Sequence, residues 1–224
     1  MREAPTSPED VFLNCPFDDE YADTFRALIF AVHACEFSPR SARGIDDGGE
    51  ARIEKLYAII QACRYGIHDI SRTELDTENQ LPRFNMPLEL GIFMGAKRYG
   101  RPLQREKRLL IFDKEKYRYQ KFISDIAGMD IHAHGGDPET ALVITRNWLT
   151  NVSRRQLPGE KRLLSIFRQF RGDLPALAEK LDLDPAKISY ADFERMVAGW
   201  LLNARPPSKG MAAAVNQYAG AARH

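Results

Sequence analysis

The chain has 224 residues, with 32 Lys and Arg against 31 Asp and Glu, 44% hydrophobic and 28% charged residues. These values exclude wholesale disorder and a chain-wide polycation built for nucleic acid, and no run approaches the roughly 18–20 apolar residues of a membrane span. Met1–Pro8 lacks the apolar stretch of a secretory leader, so the expected location is the cytoplasm. Cys15, Cys35 and Cys63 form no CxxC pair and read as buried reduced thiols. No metal site is expected, because His132-Ala133-His134 lacks a matching ligand pair.

After a polar leader over 1–9, Val11-Phe12-Leu13-Asn14-Cys15-Pro16 reads as a short buried strand halted by proline. Asp18-Asp19-Glu20 places three acids where a helix dipole favours them, and Phe25, Leu28, Ile29 and Val32 recur at helical spacing as far as Cys35. A weak second strand falls within 37–42, then a loop over 44–49 holding Asp46 and Asp47. Ile53, Leu56, Tyr57 and Ile60 mark an amphipathic helix over 50–64. Tyr65-Gly66-Ile67-His68-Asp69-Ile70-Ser71 follows as a strand whose C-terminal end turns polar.

A third helix is expected over 86–100, N-capped by Asn85, with Leu88, Ile92 and Phe93 in the core. Leu109-Leu110-Ile111-Phe112 is the cleanest buried strand. A helix over 117–127, a strand over 130–133 and a helix over 138–152 complete the pattern. Strands alternating with helices define stacked βαβ units, and five strands in about 150 residues suit a flavodoxin-like, doubly wound parallel sheet. In that architecture ligands bind beyond the C-terminal strand ends, where the strand order reverses.

The remaining chain differs. Helices are expected over 161–171, 174–181 and 190–203, with a break at Gly172-Asp173. Residues 151–224 carry 12 basic against 7 acidic side chains, whereas residues 1–150 carry 20 against 24. The expected organisation is therefore an α/β domain over 10–153, a helical appendage over 159–204 suited to a protein partner, and a flexible tail over 205–224.

Chemistry is sought at the polar strand ends. Asp69 and Ser71 share one face of their strand, because side chains alternate. Glu89 lies beyond the position a capping box would use after Asn85, and its neighbours Leu88 and Leu90 are core-like. It is a carboxylate within an apolar segment near a helix N-terminus, placed to hold ribose hydroxyls or to stabilise an oxocarbenium-like centre. In the loop after the first strand, Asn14 is suited to a base or ribose, while Cys15 lacks a base that would activate it. Arg40, Arg43, Arg52, Arg72 and Arg83 fall near the same edge, where a guanidinium fork suits a pyrophosphate or a neighbouring carboxylate. Neither GxxxxGK[ST] nor GxGxxG is present, which disfavours ordinary ATPases and Rossmann dehydrogenases.

Gly-Ile-His-Asp-Ile-Ser at 66–71, followed by Arg-Phe-Asn-Met-Pro-Leu-Glu-Leu-Gly-Ile-Phe at 83–93, resembles the TIR-like nucleotide-binding proteins of bacterial defence systems and their relatives, the nucleoside 2-deoxyribosyltransferases. Val11-Phe12-Leu13-Asn14-Cys15-Pro16-Phe17 resembles their first strand and the loop that faces phosphate or base. The resemblance covers about residues 10–150. It implies that Glu89 handles the ribose during N-glycosidic cleavage, with Asp69 and Ser71 beside it. It also implies that Asn14, Cys15, Pro16 and Asn85 line the ligand, to which Arg40 and Arg83, by their place at the same edge, would add phosphate contacts. NAD or a related nucleotide would be substrate or ligand, no separate cofactor would be needed, and copies of the chain would assemble. The Ser-x-x-Trp-Cys pattern that precedes the glutamate in many active TIR domains is absent, and Asn14-Cys15-Pro16 replaces a Ser-His or Ser-Tyr. Those departures keep open a non-catalytic nucleotide-sensing module, and deoxyribosyl transfer is the third reading.

Overall fold

The computed structural model describes residues 7–44, 48–75 and 80–204. Most of the leader, Asp46, Asp47, Asp76 and the tail over 205–224 lie outside the described residues. Five strands, β1 (Ser7–Asn14), β2 (Ser38–Arg40), β3 (Cys63–Asp69), β4 (Arg108–Asp113) and β5 (Ile131–Ala133), form one sheet in the order β2-β1-β3-β4-β5. Every pairing is parallel. This is the expected flavodoxin-like order, and the chain reverses direction between β1 and β3.

Alternation along the strands sets the two layers. Val11, Leu13, Tyr65, Ile67, Leu110 and Phe112 face α1 (Ala22–Ala34) and α5 (Pro138–Ser153) in one continuous core. On the other face Phe12 packs with Leu56, Ile59 and Ile60 of α2 (Arg52–Ala62) and Phe93 of α3 (Asn85–Tyr99). A four-residue helix, α4 (Pro102–Arg105), precedes β4.

Helix α1 is buried on nearly every side, from Phe25 through Ala34. The reason is α6 (Glu160–Lys180) and α7 (Tyr190–Ala204), which pack over its outer surface. Phe30 meets Phe167 and Phe170 at centroid distances of 5.2 Å each, and Trp200 at 6.2 Å. Phe167, Phe170, Phe193 and Val197 therefore belong to the same core as the sheet.

Several local expectations need correction. Helix α6 runs without a break through Gly172-Asp173 and even through Pro175. An internal proline costs a hydrogen bond and about 3 kcal/mol, which the burial of Leu163, Phe167, Phe170 and Ala178 along one stripe offsets. The segment 117–127 is not an α-helix but two 3-10 turns, Arg118–Lys121 and Ser124–Ile126. Tyr117 enters the first turn at φ 63°, a left-handed conformation that cannot begin an α-helix. At α3 the N-cap is Phe84, so Asn85 is already helical, and Leu88 is exposed rather than in the core.

No helix among the described residues is long and apolar enough to cross a membrane.

Candidate functional site

The C-terminal ends of β1, β3 and β4 carry Asn14, His68, Asp69 and Asp113, all buried. Burying polar groups is costly unless each is hydrogen-bonded, and here most of the bonds run between elements. The Asn14 amide donates from Nδ2 to the Met86 carbonyl at 2.9 Å and lies 3.0 Å from His68 Nδ1. An amide nitrogen can only donate, so His68 Nδ1 accepts and its ring proton sits on Nε2. Burial, helped by the charge of Lys107, pushes the His68 pKa down to about 3, which keeps the ring neutral. That ring fits because residue 66 is glycine: a Cβ there would meet His68 Nε2 at 2.6 Å and Phe93 Cζ at 2.8 Å.

On the opposite face of β3, Asp69 gathers three elements. Its Oδ1 accepts the Ser71 backbone N–H at 2.8 Å, and its Oδ2 accepts the Tyr21 hydroxyl at 2.5 Å. His134, just after β5, places Nε2 3.0 Å from the same Oδ2, close but out of line for a hydrogen bond. The His134 ring is oriented by the Gly136 N–H, which donates to Nδ1 at 2.9 Å and leaves the proton on the nitrogen facing Asp69. The Gly135-Gly136 turn, at φ 63° and 78°, is what lets that N–H reach back. Burial raises the Asp69 carboxyl, but His134 and the hydrogen bonds from Ser71 and Tyr21 outweigh it and hold its pKa below the ordinary value.

Asp113 ends β4 in a similar way. Its Oδ1 accepts from the Lys114 N–H at 2.7 Å and from Arg118 Nε at 2.8 Å, while Oδ2 is buried without a partner among the described residues. Arg118 also donates to the Ile70 carbonyl at 3.0 Å and to Thr73 Oγ1 at 3.1 Å, stapling the β3 loop to β4. Burial raises the Asp113 pKa, with Arg118 and the Lys114 N–H pulling against it.

Glu89 behaves differently. It lies in the second turn of α3, partly buried, and no hydrogen bond or ion pair holds it among the described residues. Burial pushes its pKa up to about 7 against the pull of the Arg52 charge. Its charge is a small contributor to the rise of the Cys15 thiol, behind burial and Asp69. Cys15 itself is driven well above the usual thiol range, chiefly by burial and then by Asp69, so it is a protonated thiol and not a nucleophile at neutral pH.

The sequence-derived residues therefore separate. Asn14, Cys15, Asp69 and Ser71 lie at the C-terminal ends of β1 and β3, all buried, with Pro16, also buried, next in the chain. Asn85 and Arg83 are exposed at the entry to α3. Arg40, at the outer strand β2, lies 3.8 Å from Asp10. Arg43 donates to the Phe17 carbonyl at 3.1 Å, and Arg72 pairs with Asp18 and Glu20. Tyr21, Asp113, Arg118 and His134 were not singled out as site residues by sequence, although Phe112-Asp113 repeats the polar strand end of His68-Asp69. Among the described residues no group of three His, Cys, Asp or Glu side chains could hold a metal ion.

Comparisons with protein-family models, curated proteins and solved structures return no match. What is established is the class of fold, a flavodoxin-like parallel α/β sheet with helices α6 and α7 against α1.

Proposed function

We propose that the protein binds NAD or a related nucleotide at the β1/β3 crevice and hydrolyses its N-glycosidic bond. Glu89 is the carboxylate that faces the ribosyl centre. One observation carries the reading: Asp69 and Asp113 are engaged by the protein's own donors, whereas Glu89 is partly buried, without a partner among the described residues, and raised to about 7. A carboxylate so placed gains most from a cationic ligand, which would favour its ionised form. The pyridinium of a nicotinamide nucleotide is such a ligand.

In this reading the bond between ribose C1′ and the nicotinamide nitrogen breaks, and its electron pair leaves with neutral nicotinamide. Positive charge passes to the ribosyl ring, where ionised Glu89 stabilises it. Water then adds to C1′ and loses a proton, so the products are nicotinamide, an ADP-ribose and H⁺. Asp69 acts at a distance, fixing Tyr21, Ser71 and His134 beneath the crevice. The resemblance to TIR-like proteins supports the same assignment of Glu89, and with it a setting in bacterial defence and assembly of copies.

The test is chromatography of NAD, NADP and nucleosides after incubation with concentrated protein. Nicotinamide release is expected from the native chain and a loss of about 10²–10³-fold from Glu89→Gln, the scale of removing a transition-state stabiliser. Intact NAD and NADP at long times would reject catalysis.

A second reading is favoured by the exhaustion of Asn14 and Asp69 on internal contacts, which leaves few polar groups for chemistry. It is a nucleotide-sensing module without turnover. Thermal stabilisation by NAD without product, abolished by Glu89→Ala, would mark it.

A further inference from the structure

A concavity lies beside β4, lined by none of the strand-end residues described above. Strand β5 is so short that it pairs with β4 over Ile111–Asp113 only. Arg108, Leu109 and Leu110 of β4 pair with β3 on one side and have no strand on the other. A cavity of about 860 Å³ wraps this open edge, from α3 on one face of the sheet to α5 on the other. That volume is within the range of pockets that enclose small organic ligands.

Its lining has two chemistries. Met94, Leu109, Ile111, Trp148 and Val152 supply an apolar floor. Lys97, Arg98, Arg105 and Arg108 stand over it against a single acid, Asp130. No carboxylate pairs with Lys97, Arg98 or Arg108 among the described residues. Arg105 makes one bond, from Nε to the Gly100 carbonyl at 3.0 Å, which leaves its two terminal nitrogens for another acceptor. Lys97 is depressed first by burial and then by the charge of Arg108, and both side chains line the cavity. Surface cations usually find a carboxylate or point into water. Four converging on an apolar floor, with one acid among them, are complementary to an anion that has an apolar body.

The geometry points to a binding site for an organic anion with a planar apolar body. Its phosphate or carboxylate groups are held by Lys97, Arg98, Arg105 and Arg108. Its body lies against Trp148, Leu109 and Ile111, where an indole face favours a flat partner. The site is independent of Glu89 and does not rest on the proposed glycosidic chemistry.

Calorimetric titration of the full chain at low salt tests it, with ADP as the phosphate probe, 2-naphthoate as the carboxylate probe and pyrophosphate as an anion without a body. Tryptophan fluorescence in a Trp200→Phe background, where Trp148 is the sole source, supplies a local readout. The expected result is saturable binding of ADP or 2-naphthoate with a change in Trp148 emission, weaker binding of pyrophosphate, and loss of affinity with salt. Which of the two organic probes binds tells phosphate from carboxylate. Arg98→Glu and Arg108→Ala alter exposed side chains and leave the fold intact, and each is expected to weaken binding by about tenfold or more. Three results would overturn the assignment: no binding of either organic probe at millimolar concentration, pyrophosphate binding as tightly as both, or affinity unchanged in the two variants. The last would place any ADP bound elsewhere, including the crevice beside Glu89.

Discussion

The two ends of the sheet treat polar groups in opposite ways. At the C-terminal ends of β3 and β4, Asp69 and Asp113 are fully buried and engaged by Tyr21, Ser71, His134 and Arg118. At the N-terminal half of β4, Lys97, Arg98 and Arg108 stand around a cavity with no carboxylate paired to them among the described residues. One end uses its charges to join loops that the sheet alone would leave apart. The other leaves charge uncompensated, which folding does not require. Removing charge should therefore damage the first end and leave the second unharmed, and Glu89 should fall between them.

The largest effect is expected at Asp69. Asp69→Ala strands the Ser71 N–H and the Tyr21 hydroxyl in a buried site and removes the carboxylate that His134 faces, at a cost of about 3–5 kcal/mol. Urea unfolding at neutral pH measures it. Asp69→Asn keeps an acceptor for one donor and should recover part of the loss. Because its folded pKa lies below the unfolded value of 3.8, the stability that Asp69 contributes is present above that value. It is lost as the pH falls through the folded pKa. Asp69→Ala should thus flatten the acid limb of the stability profile. An Asp69→Ala protein as stable as the native chain would break the comparison at its first end.

Next in size is the pH dependence carried by Glu89. Its folded pKa is raised, to about 7 from 4.5, so the protonated form favours the fold. That contribution is complete below about pH 4.5 and is lost as the pH rises through 7. Glu89→Gln removes the ionisation and should make the protein more stable than native at pH 8 by about 1–3 kcal/mol, with little difference at pH 4. Thermal melts at the two pH values give the sign. If the protein hydrolyses NAD, the ionised carboxylate is the active form, and the native rate should rise with pH through the same region until bound substrate lowers the midpoint. Stability and activity would then run in opposite directions at one residue, the mark of a group kept for function.

How much of this was legible follows from where each signal resides. Strands β1, β3 and β4 and helices α1, α2, α3 and α5 were readable because their apolar patterns are local. Asp69 and Glu89 were visible as polar residues where the pattern demanded apolar ones. The joining of Asp69 to Tyr21 and His134 was not visible, since the three residues are far apart in sequence and meet only through the β2-β1-β3-β4-β5 order. The segment 117–127 imitates a helix because Tyr119, Ile123 and Ile126 sit at helical spacing; Tyr119 and Ile126 pack inward from the two 3-10 turns, and Ile123 from the link between them. Helix α6 was split in sequence at Gly172-Asp173, where local propensity is poor and packing on α1 overrides it. Lys97, Arg98, Arg105 and Arg108 are close in sequence, but nothing local says that β5 is three residues long and leaves an opening beneath them.

The smallest effect, and the sharpest discriminator, is expected at Arg108. It is exposed, unpaired among the described residues, and close enough to Lys97 to lower that lysine's pKa. Arg108→Gln removes one member of a like-charge pair, so stability should rise slightly, by about 0.2–0.5 kcal/mol at low salt. The gain should disappear at about 1 M salt, where the screening length falls to about 3 Å. Urea unfolding at the two ionic strengths resolves the difference through paired midpoints. A loss of 1 kcal/mol or more would mean that Arg108 is held internally, as Arg118 is, and the two ends of the sheet would then be alike. A small gain that salt removes would leave Arg108 a cation the fold does not need, consistent with its proposed role at an anion site.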